Sequence, residues 1–431
     1  MLAAPVLLLA AALLLAGAVL AHVIGASAVL GFWAAGREQF LAALPQRIIA
    51  QIDLFSLMSM PLFMLTGEIM NRAGVTRALL NFAVALVGRL RGGLGHVNIL
   101  TSLFFAGISG SAMADAASIS NTLVPAMRKA GYSAHYAGAI TAASSVIGPI
   151  IPPSIVMIFY GALTQTSVAA LFIGGIIPGL MLAGALFIAN AVLAKRHDHP
   201  RGEWNGWSDL GRTLAKAFPA LFIPAIILGG IVFGVTTPTE AAAVAVLCSI
   251  LVGVLYGEMT VRVLWESAQR TAILTGSIFL LLSAVACLGY LAGLEQIPAR
   301  LAGWLINLGF EGNSYLLLIT VIFLVAGMFL EVPVALALLV PLLVPPAVAM
   351  GIDPIHLGIS IVVNLTIGIC TPPFGAAILV VSTVTATSYW AICRAIMPFL
   401  VAEIAVLLVI TFTPQTVLFL PRLFGFAGGQ P

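Results

Sequence analysis

The sequence comprises 431 residues, of which 61% are hydrophobic and 8% are charged, and its mean hydropathy is +1.15. Soluble domains carry about 25% charged residues, so this composition excludes a soluble globular protein and indicates an integral membrane protein. The formal net charge of +3 is spread over loops and gives no reason to expect a nucleic-acid partner.

Apolar runs of about 20 residues, the length that crosses a bilayer as a helix, recur along the chain. The first run lacks the basic start of a signal peptide and is predicted to be a retained span. In chain order, the predicted spans lie at 2–24, 26–45, 53–70, 133–165, 168–194, 214–234, 238–257, 271–292, 356–386 and 398–420.

Four further segments do not fit simple spans. Segments 97–127 and 314–348 are apolar, about 30 residues long, and interrupted near the middle by small or helix-breaking residues. We predict that each is a re-entrant helical hairpin. Segments 74–91 and 296–309 mix Arg and Asn with apolar residues, which predicts helices lying in the membrane interface.

The two halves of the chain repeat at an offset of 220 residues. The matched glycines and prolines are Gly107/Gly327, Pro125/Pro345, Gly131/Gly351, Gly138/Gly358, Gly148/Gly368, Pro152/Pro372 and Pro153/Pro373. Such paired interruptions in corresponding halves mark the binding site of secondary transporters. The predicted organisation is a first repeat at 1–195, a cytoplasmic connecting loop at 196–213, and a second repeat at 214–431.

Basic residues predict the orientation of the repeats, because cytoplasmic loops are enriched in Lys and Arg. The corresponding segments of the second half carry few basic residues besides Arg300. Lys195-Arg196 lies in the central loop, two crossings after the first hairpin and therefore on the same, cytoplasmic side. The basic residues of the first half are Arg72, Arg77, Arg89, Arg91, Arg128 and Lys129. The first hairpin is therefore predicted to enter from the cytoplasm and the second from the opposite side, so that the repeats are inverted.

A double proline interrupts each of the spans 133–165 and 356–386, within GPIIPPS (148–154) and GICTPPF (368–374). Proline removes a helix hydrogen bond, and unpaired backbone at membrane depth is tolerated only where it is buried or lines a cavity. We therefore predict two broken helices whose free carbonyls face a ligand. The polar residues that precede the double prolines in the two broken spans are Ser144, Ser145, Asn364, Thr366 and Thr371.

The hairpin tips supply the other polar groups. Ser109, Gly110, Ser111 and Asp115 lie near the first tip, and a carboxylate at that depth is by default a functional residue. Hydroxyl, carbonyl and carboxylate oxygens suit a hard cation such as Na⁺. The second hairpin carries Glu331, which the 220-residue offset matches to Ser111 rather than to Asp115.

Several ordered motifs together resemble one transporter family. They are MPLFMLTGEIMNRAG (60–74), ISGSAMAD (108–115), GPIIPPS, TTPTEAAAVAV (236–246), GIDPIHLGI (351–359) and NLTIGICTPPFG (364–375). They resemble the large membrane subunit (M subunit, DctM-like) of tripartite ATP-independent periplasmic (TRAP) transporters, over essentially the whole chain.

The resemblance implies an all-α, multi-pass protein of the bacterial inner membrane that works as an elevator, with scaffold and transport domains. It implies Na⁺-coupled uptake of an organic acid such as a C4-dicarboxylate or sialic acid. It also implies two partners, a small four-helix membrane subunit and a periplasmic substrate-binding protein. No organic cofactor and no enzymatic activity are expected.

The family's cation sites, carried onto this sequence by motif, give two residue sets. The first site is expected to use Ser109, Gly110, Ser111, Asp115, Ser145 and Gly148, and the second Gly327, Asn364, Gly368, Thr371 and Pro372. Residues expected to face substrate or to shape the broken helices are Ser144, Pro149, Pro152, Pro153, Ser154, Glu331, Thr366 and Pro373. The family often has Asp where this chain has Glu331.

Two other classes compete with this interpretation. A channel-like pore component without ion coupling also uses broken helices, and a dependence of uptake on Na⁺ would separate the two. An intramembrane aspartyl protease requires two close carboxylates, and Glu331 is the only plausible partner for Asp115. The dispersed Cys248, Cys287, Cys370 and Cys393 suggest buried small side chains, and the HDH stretch at 197–199 suggests a solvated loop.

Overall fold

The computed structural model describes residues 3–204 and 206–426, which form α-helices joined by short connections. The helices of the first half are α1 (Ala3–Leu15), α2 (Leu20–Ala34), α3 (Leu44–Ile52), α4 (Ser59–Arg72), α5 (Val75–Val87), α6 (Gly93–Ser109), α7 (Ala112–Lys129), α8 (Ala134–Ser145), α9 (Ile155–Thr164) and α10 (Val168–Arg196). Short 3-10 helices at Glu38–Ala43 and Phe55–Met58 precede α3 and α4.

The second half has ten helices in a matching order. They are α11 (Gly206–Val232), α12 (Pro238–Leu255), α13 (Val261–Leu294), α14 (Ile297–Asn307), α15 (Asn313–Phe329), α16 (Val332–Ala349), α17 (Pro354–Gly368), α18 (Ala376–Thr385), α19 (Tyr389–Phe412) and α20 (Gln415–Leu423). By length and composition, 6 helices among the described residues could cross a membrane, or up to 7 if the bent segment from Glu38 to Arg72 is one span.

Helix boundaries repeat at the offset found in the sequence. Helices α6 and α15 begin and end at equivalent positions, 93–109 and 313–329, and α7 and α16 do so at 112–129 and 332–349. Helices α8 and α17 also begin at equivalent positions, 134 and 354. The glycine and proline pattern therefore marks a repeat of the folding units themselves.

Helices of each half also pack on helices of the other half, in a reciprocal pattern. Helix α7 packs on α18 while its counterpart α16 packs on α9, and α8 packs on α19 while α17 packs on α10. Each half thus completes the core of the other, as two units related by a two-fold axis do. The largest hydrophobic core cluster runs through both halves, so neither half buries its apolar surface alone.

Local sequence signals explain several helix boundaries. At the start of α12, the Thr237 backbone N–H donates to Glu240 Oε2 (2.7 Å), and the Glu240 N–H donates to Thr237 Oγ1 (3.3 Å). This capping box, followed by Pro238 in the first turn, accounts for the TTPTE motif without any functional role. Internal prolines such as Pro125 in α7 and Pro345 in α16 leave those helices continuous.

Three predicted spans and one predicted loop differ from the structure. The predicted spans 2–24 and 26–45 are wrong, because the chain turns at Gly17 (φ +77°) and again after Ala34. The predicted span 398–420 is wrong because α19 ends at Phe412 and α20 begins at Gln415. The turns carry sequence markers that a prediction from hydropathy alone does not use, namely Gly17, Gly36-Arg37 and Thr413-Pro414. Helix α11 begins at Gly206, inside the predicted connecting loop 196–213.

Candidate cation site at the helix breaks

The first break separates α8 from α9. After Ser145 the chain continues in tight turns, in which the Gly148 N–H donates to the Ser145 carbonyl (3.1 Å). Ser154 ends the break by capping α9, since its hydroxyl accepts from the Met157 N–H (3.2 Å) and donates to the Pro149 carbonyl. The Pro152-Pro153 and Pro372-Pro373 peptide bonds are both cis. Pro149 and Ser154 thus shape the break.

The tip of the first hairpin, Ser109–Ser111, lies directly against this break. Gly110 has a positive φ of +59°, and a Cβ there would lie 2.8 Å from the Pro153 carbonyl oxygen. A Cβ on Gly148 would lie 2.4 Å from Asp115 Oδ2. Both distances are shorter than real Cβ contacts, so glycine at these positions is what lets the tip and the break meet.

Asp115 is the central polar group of this contact and is fully buried. The Ser109 hydroxyl donates to Asp115 Oδ1 (2.5 Å), and the Ser111 backbone N–H donates to the same hydroxyl oxygen (3.2 Å). Asp115 Oδ2 has no hydrogen-bond partner among the described residues and points at Gly148. A buried carboxylate oxygen left unpaired is costly, and a bound cation removes that cost.

The two adjacent serines of α8 have different surroundings. Ser145 is buried at the end of the helix, and its carbonyl oxygen lies 3.2 Å from where a Gly148 Cβ would be, beside Asp115. The Ser144 hydroxyl instead donates to Asn98 Oδ1 (2.9 Å) and accepts from the Ser102 hydroxyl (2.8 Å), both on α6. Ser145 therefore lies at the candidate cation site, whereas Ser144 takes part in a helix-packing network.

The second break, between α17 and α18, contacts the first helix of the second hairpin. A Cβ on Gly327 would lie 2.8 Å from the Leu365 carbonyl oxygen, and one on Gly368 would lie 2.6 Å from the Gly327 Cα. Asn364 donates to the Thr320 carbonyl (2.7 Å), but its own Oδ1 is buried without a partner. Gly327 and Gly368 thus lie in direct contact, and Asn364 bonds to the same hairpin helix about two turns earlier.

The remaining residues of the second set are less enclosed. Thr371 donates back to the Ile367 carbonyl (2.8 Å) and is partly buried, as is Pro372, while Pro373 is exposed. Thr366 is buried and bonds only to carbonyls of its own helix, so it does not face a ligand. The second break is therefore more open than the first, in which Pro152 and Pro153 are buried.

Glu331 does not occupy a buried position in the second half like that of Asp115 in the first. It is exposed at the N-cap of α16, without a side-chain capping bond, where Ser111 caps α7. The expectation that Glu331 is a membrane-depth site acid finds no support in these contacts. The residue offset had already matched it to Ser111, and the structure shows that both are N-cap residues.

A cavity of about 1150 Å³ lies beside the first hairpin, where α7 lines it with Ala114, Ala117, Ser118, Asn121 and Thr122. Its charged lining residues are Glu68, Arg72, Arg77, Lys216, Glu258 and Arg270. Arg72 and Arg270 pair with Glu68 at 3.6 and 3.0 Å, whereas Arg77 and Lys216 form no ion pair in the described part of the chain. The cavity therefore offers two uncommitted positive charges to an anion.

Three features escaped the sequence analysis. The network of Asn98, Ser102 and Thr141 was missed, although polar residues at helical spacing in an apolar run are a visible signal. Glu403 is a second fully buried acid, detectable by the rule that identified Asp115. Within the HDH loop His197 and Asp198 are exposed as predicted, whereas His199 is half-buried against the rings of Tyr132 and Tyr136 at 4.7 and 4.4 Å.

Taken together, the fold and the site define a polytopic membrane transporter, with two broken helices meeting two helical hairpins beside a cationic cavity. Residues 7–416 match the family model described as "Tripartite ATP-independent periplasmic transporter, DctM component". The chain belongs to this family and is a multi-pass protein of the bacterial inner membrane.

Two relatives and one solved structure support the assignment. The chain is 41% identical over 380 residues to the sialic acid TRAP transporter large permease protein SiaM of Vibrio cholerae, covering 88% of this chain and 89% of that protein. It is 38% identical over 381 residues to the C4-dicarboxylate TRAP transporter large permease protein DctM of Pseudomonas aeruginosa, covering 86% and 88%. The Alcanivorax borkumensis YdaH transporter has the same fold, with a TM-score of 0.67 and 15% identity over 89% of each chain.

Proposed function

We propose that this chain is the permease subunit that couples uptake of an organic acid to the entry of Na⁺. The observation that carries the proposal is the buried Asp115 carboxylate, which has one oxygen bonded to Ser109 and the other open toward the first break. Na⁺ prefers several oxygen ligands, and this contact brings together carboxylate, hydroxyl and backbone carbonyl oxygens. A second cation site is proposed at Gly327, Asn364 and Gly368.

The substrate is proposed to be a carboxylate. Arg77 and Lys216 in the cavity attract an anion, and the α7 wall adds the neutral polar side chains of Ser118 and Asn121. Helix α7 lines the cavity and also carries the buried Asp115, so one helix contacts both the cavity and the cation site. The names of the two relatives, which specify sialic acid and C4-dicarboxylates, agree with an organic acid.

The coupling mechanism follows from charge. Cation binding at Asp115 neutralises a buried carboxylate and fixes the hairpin tip against the break, so the loaded core can move through the membrane at lower cost. We propose that the two halves are inverted repeats, and that hairpins and broken helices move together against a scaffold that includes α4 and α13. A small four-helix subunit and a periplasmic binding protein complete the assembly.

Reconstitution into proteoliposomes tests this function. Uptake of a labelled sialic acid or C4-dicarboxylate should require an inward Na⁺ gradient, the small subunit and the cognate binding protein, and it should need no ATP. Equal uptake in K⁺-only buffer would contradict Na⁺ coupling and favour a channel-like component. Uptake that does not saturate with substrate would point the same way.

A further inference from the structure

A second carboxyl group, Glu403, is buried in the middle of α19 and takes no part in the cation site described above. Its side chain is fully buried, and neither carboxylate oxygen has a hydrogen-bond partner among the described residues. The flanking sequence VAEIAVLL is apolar, so the helix provides no polar face for the acid. Such a group requires an explanation, because an unpaired buried charge is among the most costly features a protein can contain.

The position of Glu403 links it to both helix breaks. It lies close enough to Cys370 to interact electrostatically with that thiol, and Cys370 follows the end of α17 at the second break. The Cys370 thiol in turn donates to the Ala142 carbonyl (3.0 Å) in the last turn of α8, just before the first break. Glu403 therefore lies beside the point where the two broken helices touch.

The helices around α19 supply no positive charge to compensate an ionised Glu403. The titratable groups on the elements packed against it are directed elsewhere: Tyr136 to Asn190, His356 to the Ile410 carbonyl, Tyr315 to the Leu343 carbonyl, and His135, Lys195, Arg196 and Arg394 toward the exterior. Cys370, at the second break, is the titratable group that faces the acid.

We infer that Glu403 is a proton-binding site, distinct from the Asp115 cation site. A proton neutralises the carboxyl and requires a single covalent partner, whereas Na⁺ needs several surrounding oxygens. Neither Glu403 oxygen has a hydrogen-bond partner in the described part of the chain, in contrast to Asp115, which has the Ser109 hydroxyl. The proton keeps the core between the two breaks neutral whether or not Na⁺ is bound at Asp115.

Infrared spectroscopy of the purified full-length chain tests this directly, because a neutral carboxylic acid has a C=O band that an ionised carboxylate lacks. At neutral pH exposed carboxyls, with ordinary pKa values of about 4, are ionised and do not contribute. In saturating Na⁺ the wild type should retain a neutral-acid band. Glu403→Gln should lose that band, and Glu203→Gln, the same change in an exposed loop, should keep it.

The outcomes are separable. If Glu403→Gln does not fold, the wild type in saturating Na⁺ decides alone, and the absence of a neutral-acid band there overturns the proposal. A band that persists in Glu403→Gln also overturns it. A band that Na⁺ removes from the wild type and that Glu403→Gln lacks would show Na⁺ at Glu403. Asp115→Asn assigns any separate band lost on adding Na⁺, so failure of Na⁺ coupling and failure of the proton site are distinguishable.

Discussion

At the scale of single residues, one step along a helix decides whether a serine is part of a packing network or part of the candidate site. Successive residues of an α-helix differ by about 100° in direction. Ser144 faces α6 and bonds Asn98 and Ser102, whereas Ser145 ends the helix beside Gly148 and Asp115. The sequence named Ser145 for the cation site and Ser144 for the substrate-facing set, but it could not show that Ser144 packs against α6, because the direction of α8 depends on tertiary packing.

Ser144→Ala should therefore reduce stability without changing Na⁺ affinity. The substitution leaves the Asn98 and Ser102 partners of the lost hydroxyl buried, at a cost of about 1–3 kcal/mol. Thermal unfolding of the purified chain should show this loss, while the Na⁺ concentration giving half-maximal stabilisation should equal that of the wild type. A weakened Na⁺ response in Ser144→Ala would instead place Ser144 at the cation site.

The two acids Asp115 and Glu331 show how far site residues could be predicted from the sequence. Asp115 was predictable because an acid inside an apolar run is visible without a structure, and the structure places it at the tip-to-break contact. Glu331, expected among the residues that face substrate or shape the broken helices, is an exposed N-cap residue. Burial distinguishes the two acids, and burial depends on which elements pack together, which a single sequence does not state.

At the scale of elements, the double prolines separate helices that otherwise continue. Proline has no N–H and clashes with the preceding turn, so α8 ends before Pro152 and α17 before Pro372. The breaks were predictable from this chemistry alone. The contact of the Gly110 tip with the Pro153 carbonyl was not, because it joins segments from different parts of the chain.

Replacing Pro152 and Pro153 together with alanine tests the role of the first break. Alanine is about 3 kcal/mol more favourable than proline within a helix, so α8 and α9 can extend toward each other and withdraw carbonyls from the Asp115 contact. We expect folded protein at normal yield and a higher Na⁺ concentration for half-maximal uptake. The pair Pro372 and Pro373 should behave in the same way.

Variants compared in this experiment must be purified at similar yield, so that misfolding is not mistaken for lost coupling. Wild-type Na⁺ dependence in both double variants would show that the prolines serve packing alone. The second break is more exposed than the first, so a smaller effect there agrees with the structure. An effect confined to the second pair would contradict it.

The segment after α10, residues 197–204, forms a strap across the connection between α5 and α6. The Gly92 N–H donates to the Pro200 carbonyl (3.1 Å), the Gly202 N–H donates to the Gly88 carbonyl (3.2 Å), and Arg91 pairs with Asp198. The Arg89 guanidinium lies 4.4 Å from the Trp204 ring centroid. The base of the first hairpin is thus tied to the end of α10.

The strap should loosen in acid because of His199. Burial, and secondly the charge of His197, lower the pKa of His199 below its ordinary value of 6.5. Below pH 6.5 His199 binds a proton more readily in the unfolded segment than in the folded one. The free energy of local unfolding therefore falls with falling pH. Hydrogen exchange at residues 88–93 and 200–204 should accelerate in that range. His199→Gln should reduce the change, and an unaltered acid response would contradict this role.

At the scale of the whole molecule, the two halves complete one another's core, as shown by the reciprocal packing of α7 on α18 and α16 on α9. The repeat was predictable because glycines and prolines keep their register over 220 residues. The limits of the first spans were missed because hydropathy alone does not weigh the turn residues Gly17 and Gly36-Arg37. The ion pairs joining α4 to α13, such as Arg72 to Glu266 (2.6 Å), were likewise visible only in three dimensions.

Orientation is a separate prediction that cysteine labelling checks. In a chain whose partly exposed Cys248 is replaced by alanine, Arg77→Cys should be protected from an impermeant reagent added outside, and Arg300→Cys should react. Both native side chains are exposed, so reactivity reports the side of the membrane. Labelling at position 77 with protection at position 300 would reverse the proposed topology.

The central claim is that Na⁺ binds where the first hairpin tip meets the first break. The most direct test is Na⁺-dependent thermal stabilisation of the purified chain, comparing wild type with Gly148→Ala and Gly184→Ala. A Cβ at position 148 would overlap Asp115 Oδ2 at 2.4 Å, whereas position 184 has nothing within 4 Å. Overpacking costs about 1–3 kcal/mol, so Gly148→Ala should need a Na⁺ concentration about tenfold or more higher for half-maximal stabilisation. Gly184→Ala should match the wild type; equal Na⁺ dependence in all three proteins would contradict the account.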